Sequence, residues 1–294
     1  MKKLPLVAVI LSLGWTLDTV AQVEADGSIL VANWDPNEIV FAADSRQASP
    51  HSYQDVRCKI AAFDDKVIFG ATGRRTNPVT PNSSWDIYAA APKQFARINH
   101  EGTKKRIAEI LASAWGNEVK NKFQGYGETA LAGLENNKIA GALFADFEPD
   151  GSLLIAHETI NYERSAHGVI ITAKTEIIPP TPGSHTIGKG EIVDEITGGK
   201  TRLQKIWQER VNASFDRIAE EAIAAVDLTI ENLPKTKVDS RSIPFSEVGP
   251  PTAAVRLRRD LGIDWPRIGT CKTEQKPKSK TKPKKIPATG QHSH

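Results

Sequence analysis

Four residues in the first quarter of the chain are of types that can make and break an acyl bond: Ser28, Asp44, Lys59 and Gly73. A serine hydroxyl attacks a carbonyl only when another group takes its proton, and the α-amine of a first residue, with a pKa of about 8, is such a group. Ser28 meets that condition only as the chain's N-terminus, after a cut at Gly27-Ser28. An ammonium beside the hydroxyl, here Lys59, holds the site in its reactive protonation state, and a carboxylate such as Asp44 fixes the ammonium in place. Gly73, having no side chain, can offer an unobstructed backbone N–H to a developing oxyanion.

The elements around these residues are legible as two tandem hairpins. The apolar runs Ile29 to Ala32 and Ile39 to Ala43 flank Asp35-Pro36-Asn37, where Pro and Asn supply turn geometry. A second pair, Ile60 to Phe63 and Val67 to Ala71, flanks Asp64-Asp65-Lys66. Ser28 then precedes the first strand, Asp44 follows the second, Lys59 opens the third and Gly73 closes the fourth. Cys58 and Lys59 are sequence neighbours on a strand and must point to opposite faces, so Lys59 reaches the site only if Cys58 does not.

In these residues the chain resembles the proteasome-type branch of the N-terminal nucleophile (Ntn) hydrolases. The matching pieces are the Gly27-Ser28 junction, the A-x-D-S-R strand end from Ala42 to Arg46, Lys59, and Gly73. Ser28 to Asp44 has the family's spacing, Asp44 to Lys59 is one residue short, and Lys59 to Gly73 matches again. The resemblance implies an αββα sandwich, self-cleavage at Gly27-Ser28, and hydrolysis of a peptide or other small amide substrate. It also implies assembly into rings, so a homo-oligomer is an expected state. The chain departs from the family at Thr186-Ile187-Gly188-Lys189-Gly190, where Lys189 stands in place of a serine that hydrogen-bonds near the nucleophile. That lysine either replaces the polar contact or marks a site no longer used. An Asp and a Ser that support the nucleophile in the family have Asp239 with Ser240, or Ser246, as stand-ins without matching context.

Later periodicities fit the same order of elements. Tyr88, Phe95 and Ile98 suggest a short helix that Pro92 interrupts, and Ile107, Ile110, Leu111, Ala114, Trp115 and Val119 recur at helical spacing, with Trp115 as a core residue. Strands follow at Ile139 to Phe147, Leu153 to Thr159 and Gly168 to Ile178, the first two around the turn Glu148-Pro149-Asp150-Gly151. Leu203, Ile206 and Trp207 line one further helix, and Phe215 to Val226 another. Asn232 to Glu247 reads as a polar loop, Thr252 to Leu257 as the last strand, and Asp264-Trp265 as the end of the fold. The expected class is α+β, a four-layer αββα sandwich of two antiparallel sheets flanked by helices.

A content of 39% hydrophobic and 25% charged residues is that of an ordinary globular chain. Residues 1–21 carry Lys2-Lys3, an apolar run from Leu4 to Trp15 and small residues at Thr19-Val20-Ala21, the pattern of a removed signal peptide. Secretion or a periplasmic location follows, and residues 22–27 would remain as a short propeptide. Gly27-Ser28 is equally a common turn dipeptide leading into a strand. In an exported chain the two cysteines, Cys58 and Cys271, are candidates to pair.

The Ntn-like domain is expected over residues 28–270, with a disordered Lys/Pro-rich tail over 271–294. The tail holds seven lysines and one glutamate, against a net charge of +3 for the whole chain, so the body is acidic and the basic balance belongs to the tail. Such a tail suits anionic surfaces such as lipid or cell-wall polymer, whereas the body offers no specific nucleic-acid face. His51 reads as a solvated loop residue. No cofactor or metal motif is expected, since the chain lacks H-E-x-x-H, G-x-G-x-x-G and P-loop patterns. A non-catalytic member of the same fold, acting as a binding or structural protein of the cell envelope, is the alternative to the hydrolase.

Overall fold

The computed structural model describes residues 27–49, 52–55, 57–74, 86–124, 131, 134, 137–199 and 201–271. The expected leader and most of the expected propeptide, His51 and the basic segment after residue 271 lie outside the described residues.

Both expected hairpins form. β1 (Ile29–Trp34) and β2 (Glu38–Ala43) pair antiparallel, and Asp35 closes their turn by accepting from the N–H groups of Asn37 and Glu38 at 2.6 and 3.0 Å. β5 (Ile60–Phe63) and β6 (Val67–Gly73) pair around a turn in which Asp64 and Asp65 adopt positive φ. The hairpins belong to different sheets. The first sheet has the order β10-β1-β2-β13-β14, with β10 at Gly183–Gly188, β13 at Ala253–Arg258 and β14 at Gly262–Arg267. The second runs β5-β6-β7-β8-β9, with β7 at Lys138–Phe147, β8 at Leu153–Ser165 and β9 at Gly168–Ile178. Neighbours are antiparallel throughout both sheets.

The two sheets pack face to face. Leu30, Ala32, Phe41, Ala43 and Val255 from the first meet Ile60, Ile68, Leu143, Ala145 and Ile155 from the second in one buried cluster. The approach is close at Gly70, where an added Cβ would lie 2.7 Å from a methyl of Leu30. Helices cover the outer faces. α1 (Ile87–His100) and α2 (Ile107–Phe123) bury Phe95, Leu111, Trp115 and Val119 against Phe69, Phe144 and Ala156 of the second sheet. α3 (Glu191–Thr197), α4 (Arg202–Asn212) and α5 (Arg217–Asn232) lie beyond the first sheet, with Ala222, Ile223 and Val226 of α5 on Ile29, Val31 and Val40. Burial on both faces is why the strands read as continuous apolar runs rather than as an alternation. The chain is thus mixed α/β with antiparallel sheets, in the broad class expected. Trp115 is the core residue it was read as, and its indole N–H donates to the Ile87 carbonyl at 2.7 Å.

Several elements depart from the sequence reading. α1 continues through Pro92 for 14 residues, capped by Asp86, whose carboxylate accepts from the Ala89 N–H at 2.6 Å. On either side of His51, which reads as a loop residue, stand the two strands of a hairpin, β3 (Arg46–Ser49) with β4 (Ser52–Asp55), clamped by a two-pronged Arg46–Asp55 ion pair at 2.6 and 2.7 Å. Asn232 to Glu247 likewise holds a small hairpin, β11 (Lys237–Val238) with β12 (Pro244–Phe245). Thr186 to Gly188, for which no strand was expected, is the end of β10, and a short helix, α3, follows it. Thr252 to Leu257 is not the last strand, because β14 extends the sheet edge beyond it. β14 is only half-buried and contains Pro266, which an edge strand tolerates, and it is tied to β13 by Arg256 on Asp264 at 2.9 and 2.8 Å. Regular strand begins at Ile60, so Lys59 stands one residue ahead of it.

Cys58 and Cys271 form a disulfide with Cα atoms 4.8 Å apart, and Cys271 is buried with the body. Among the described residues no helix is long and apolar enough to cross a membrane.

Candidate active site

The β1–β2 register sets the first contact. Leu30 lies opposite Ala43, so the next step along the ladder brings Ile29 beside Asp44, with Ser28 just beyond. The Asp44 carboxylate accepts from the Ile29 N–H at 3.0 Å, the Arg46 N–H at 3.0 Å and the Gly249 N–H at 3.3 Å. Lys59 comes from the other sheet, where its carbonyl accepts from the Ala71 N–H at 3.1 Å. Its side chain crosses to the first sheet, and the ammonium lies 2.9 and 3.0 Å from the two oxygens of Asp44 and 2.8 Å from Ser28 Oγ. Three residues from separate strand ends therefore meet between two sheets. The side chains of Lys59 and Asp44 are 1% and 0% exposed, and Ser28 is buried with them.

Burial pushes the Asp44 carboxyl above its ordinary pKa, while the Lys59 ammonium and the Ile29 and Gly249 N–H groups pull it back. A buried ion pair of this kind costs desolvation that its mutual attraction only partly offsets, so it is poorly explained as a device for stability. Chemically, an ammonium donating to a hydroxyl favours the alkoxide-like character that develops on the oxygen as it loses its proton.

Gly188 lies against the serine, whereas Gly73 packs on Ile139 and Ala140 of β7. At Gly188, φ is +92° and an added Cβ would lie 1.9 Å from the Ser28 carbonyl oxygen and 3.3 Å from Thr72 Cγ2. Gly73, the residue after Thr72, has φ +114°, and a side chain there would strike the Ile139 carbonyl at 2.4 Å. Both positions demand glycine on conformation and on space.

The remaining candidates fall differently. The Lys189 N–H donates to the Ser28 carbonyl at 2.8 Å, but its ammonium lies 3.4 Å from Glu247. Asp239 serves its own hairpin, accepting from the Arg241 and Ile243 N–H groups and pairing with the Arg241 side chain, and Ser240 is exposed. Ser246 donates its hydroxyl to the Val248 carbonyl at 2.5 Å. Sequence reasoning passed over Gly249, which supplies a backbone donor to Asp44, and Glu247, which packs on Gly27. The only local signal was the run Glu247-Val248-Gly249-Pro250-Pro251, which marks a turn without saying what it touches. Among the described residues no group of three or more His, Cys, Asp or Glu is arranged to hold a metal ion.

No protein-family model matches the chain, and no curated protein matches it either.

Proposed function

We propose that the chain is an exported hydrolase of the N-terminal nucleophile type, which cleaves a peptide or other amide bond through Ser28. The observation that carries this reading is the buried contact of Lys59 with both Ser28 Oγ and Asp44 at 2.8 to 3.0 Å. The helix–sheet–sheet–helix packing supports it as an αββα sandwich of Ntn type, with the site where the two sheets meet. The N-terminal sequence pattern supports export, and the disulfide is consistent with an oxidising compartment.

The reaction would run in four steps. Hydrolysis of the Gly27-Ser28 bond consumes one water, leaves a carboxylate on Gly27 and frees the Ser28 α-amine. That amine takes the proton from Oγ as the oxygen bonds to the substrate carbonyl carbon, with Lys59 stabilising the nucleophile and the Gly73 N–H the oxyanion. The protonated amine then gives its proton to the leaving nitrogen as the C–N bond breaks. Water, deprotonated by the same amine, hydrolyses the ester and restores the hydroxyl.

Mass spectrometry of the protein purified after export tests the first requirement, a chain that begins at Ser28. Covalent labelling of Ser28 by an electrophile selective for N-terminal hydroxyls tests the second. A mature chain beginning at Gln22, with Ser28 unlabelled, refutes the hydrolase. That outcome leaves a non-catalytic envelope protein of the same fold, a reading favoured by one observation, the engagement of Lys189 with Glu247 where the family places a serine.

A further inference from the structure

The junction upstream of Ser28 is packed against a carboxylate that the proposed chemistry leaves without a part. Gly27 sits on Glu247: an added Cβ at residue 27 would lie 1.9 Å from Glu247 Cβ and 2.4 Å from its Oε2. The Glu247 side chain is 15% exposed and is held from both sides, with Lys189 3.4 Å from Oε2 and Lys237 2.6 Å from Oε1. Lys189 arrives from the segment after β10, Lys237 from β11, and Glu247 from the turn that also supplies the Gly249 N–H to Asp44. Three separate segments thus converge on one carboxylate, and Oε2 is the oxygen turned toward residue 27.

Cutting Gly27-Ser28 removes the glycyl group that faces Oε2 and leaves a charged amine on the atom to which that group was bonded. We propose that Glu247, oriented by Lys189 and Lys237, is a positioning residue that seats the freed Ser28 amine. This rests on Ser28 being processed and acting as nucleophile. The other charged groups around the site are Asp44 on the same sheet, Lys59 from the facing sheet, and Arg46, which pairs with Asp55 and packs its guanidinium on Gly249.

The sign of the effect is fixed by charge. A carboxylate beside an ammonium favours the protonated amine, and Lys237 weakens that influence by neutralising the carboxylate. Only the neutral amine can take the Ser28 proton, so labelling of Ser28 rises with pH through the amine's titration. The test compares wild type, Glu247→Gln and Lys237→Met as mature chains, each produced with a leader whose protease leaves Ser28 first. The labelling midpoint should move down by about one pH unit in Glu247→Gln and up in Lys237→Met. A role in packing alone would leave both midpoints where they are, or move them together, and either result overturns the proposal. If Glu247→Gln does not fold, the direction of the Lys237→Met shift decides alone. A wild-type mature chain that is labelled at no pH refutes the hydrolase itself, whereas a labelled wild type with unmoved variants refutes only the role of Glu247.

Discussion

Lys189 is bound to Ser28 through the backbone, its N–H donating to the Ser28 carbonyl at 2.8 Å, and the residue before it is a glycine lying against that same carbonyl. Gly188→Ala should therefore cost about 2 kcal/mol or more, since it combines a strained positive φ with a clash, and it should abolish labelling of Ser28. Gly190→Ala is the control, because its Cβ would meet only Thr186 Cγ2 at 3.4 Å. Urea denaturation of the two variants measures the difference.

Removing the Lys59 ammonium strands a buried carboxylate. Lys59→Met should destabilise the fold by about 3–5 kcal/mol and stop cleavage at Gly27-Ser28. Ser28→Ala removes only a hydroxyl, so its stability should stay within about 1.5 kcal/mol of wild type while cleavage and labelling disappear. Ser28→Thr keeps the hydroxyl and should keep both. Denaturation midpoints and intact mass check each variant.

A second buried carboxylate predicts a pH dependence of stability. Asp146 caps α2 from β7, accepting from the N–H groups of Ile107 and Ala108 at 3.0 and 3.3 Å, and burial pushes its pKa up to about 7. The folded state therefore holds a proton that the unfolded chain releases at its ordinary value of 3.8. The stability tied to this proton is complete below that ordinary value and is lost as pH rises to about 7. Asp146→Asn cannot titrate, so the stability of wild type relative to the variant should fall across that window, by on the order of 3 kcal/mol. Melting temperatures of both proteins at pH 4 to 8 give the comparison.

The Cys58–Cys271 bridge closes a loop with a sequence separation of 213 residues. Cys271→Ser, or reduction of the native protein, should lower stability by about 5 kcal/mol through the freedom it returns to the unfolded chain. Melting with and without reductant, together with a count of reactive thiols, checks this.

The part of the site legible from sequence is the part set by local rules. Ser28, Asp44 and Lys59 each adjoin a strand of a tight hairpin whose turn residues and apolar runs fix where the strand begins or ends, so spacing carries over into position. Elements held by long-range contacts were not legible. β3 and β4 lack apolar alternation and depend on Arg46 reaching Asp55 and stacking over Tyr53 at 4.2 Å. β14 depends on Asp264 meeting Arg256. Glu247 is the clearest case, because nothing within a few residues of it marks a contact with Gly27, some 220 positions earlier in the chain.

Ser28 and Asp44 ride on one sheet and Lys59 reaches them from the other, so the site works as a gauge of the gap between two slabs. That gap is set where Gly70 admits the Leu30 methyls, on the interior surface and away from any reacting atom. A single methyl wedged in at residue 70 would prise the slabs apart and draw the lysine off the serine. The reactivity proposed for Ser28 would then fade while every group assigned to it was still present.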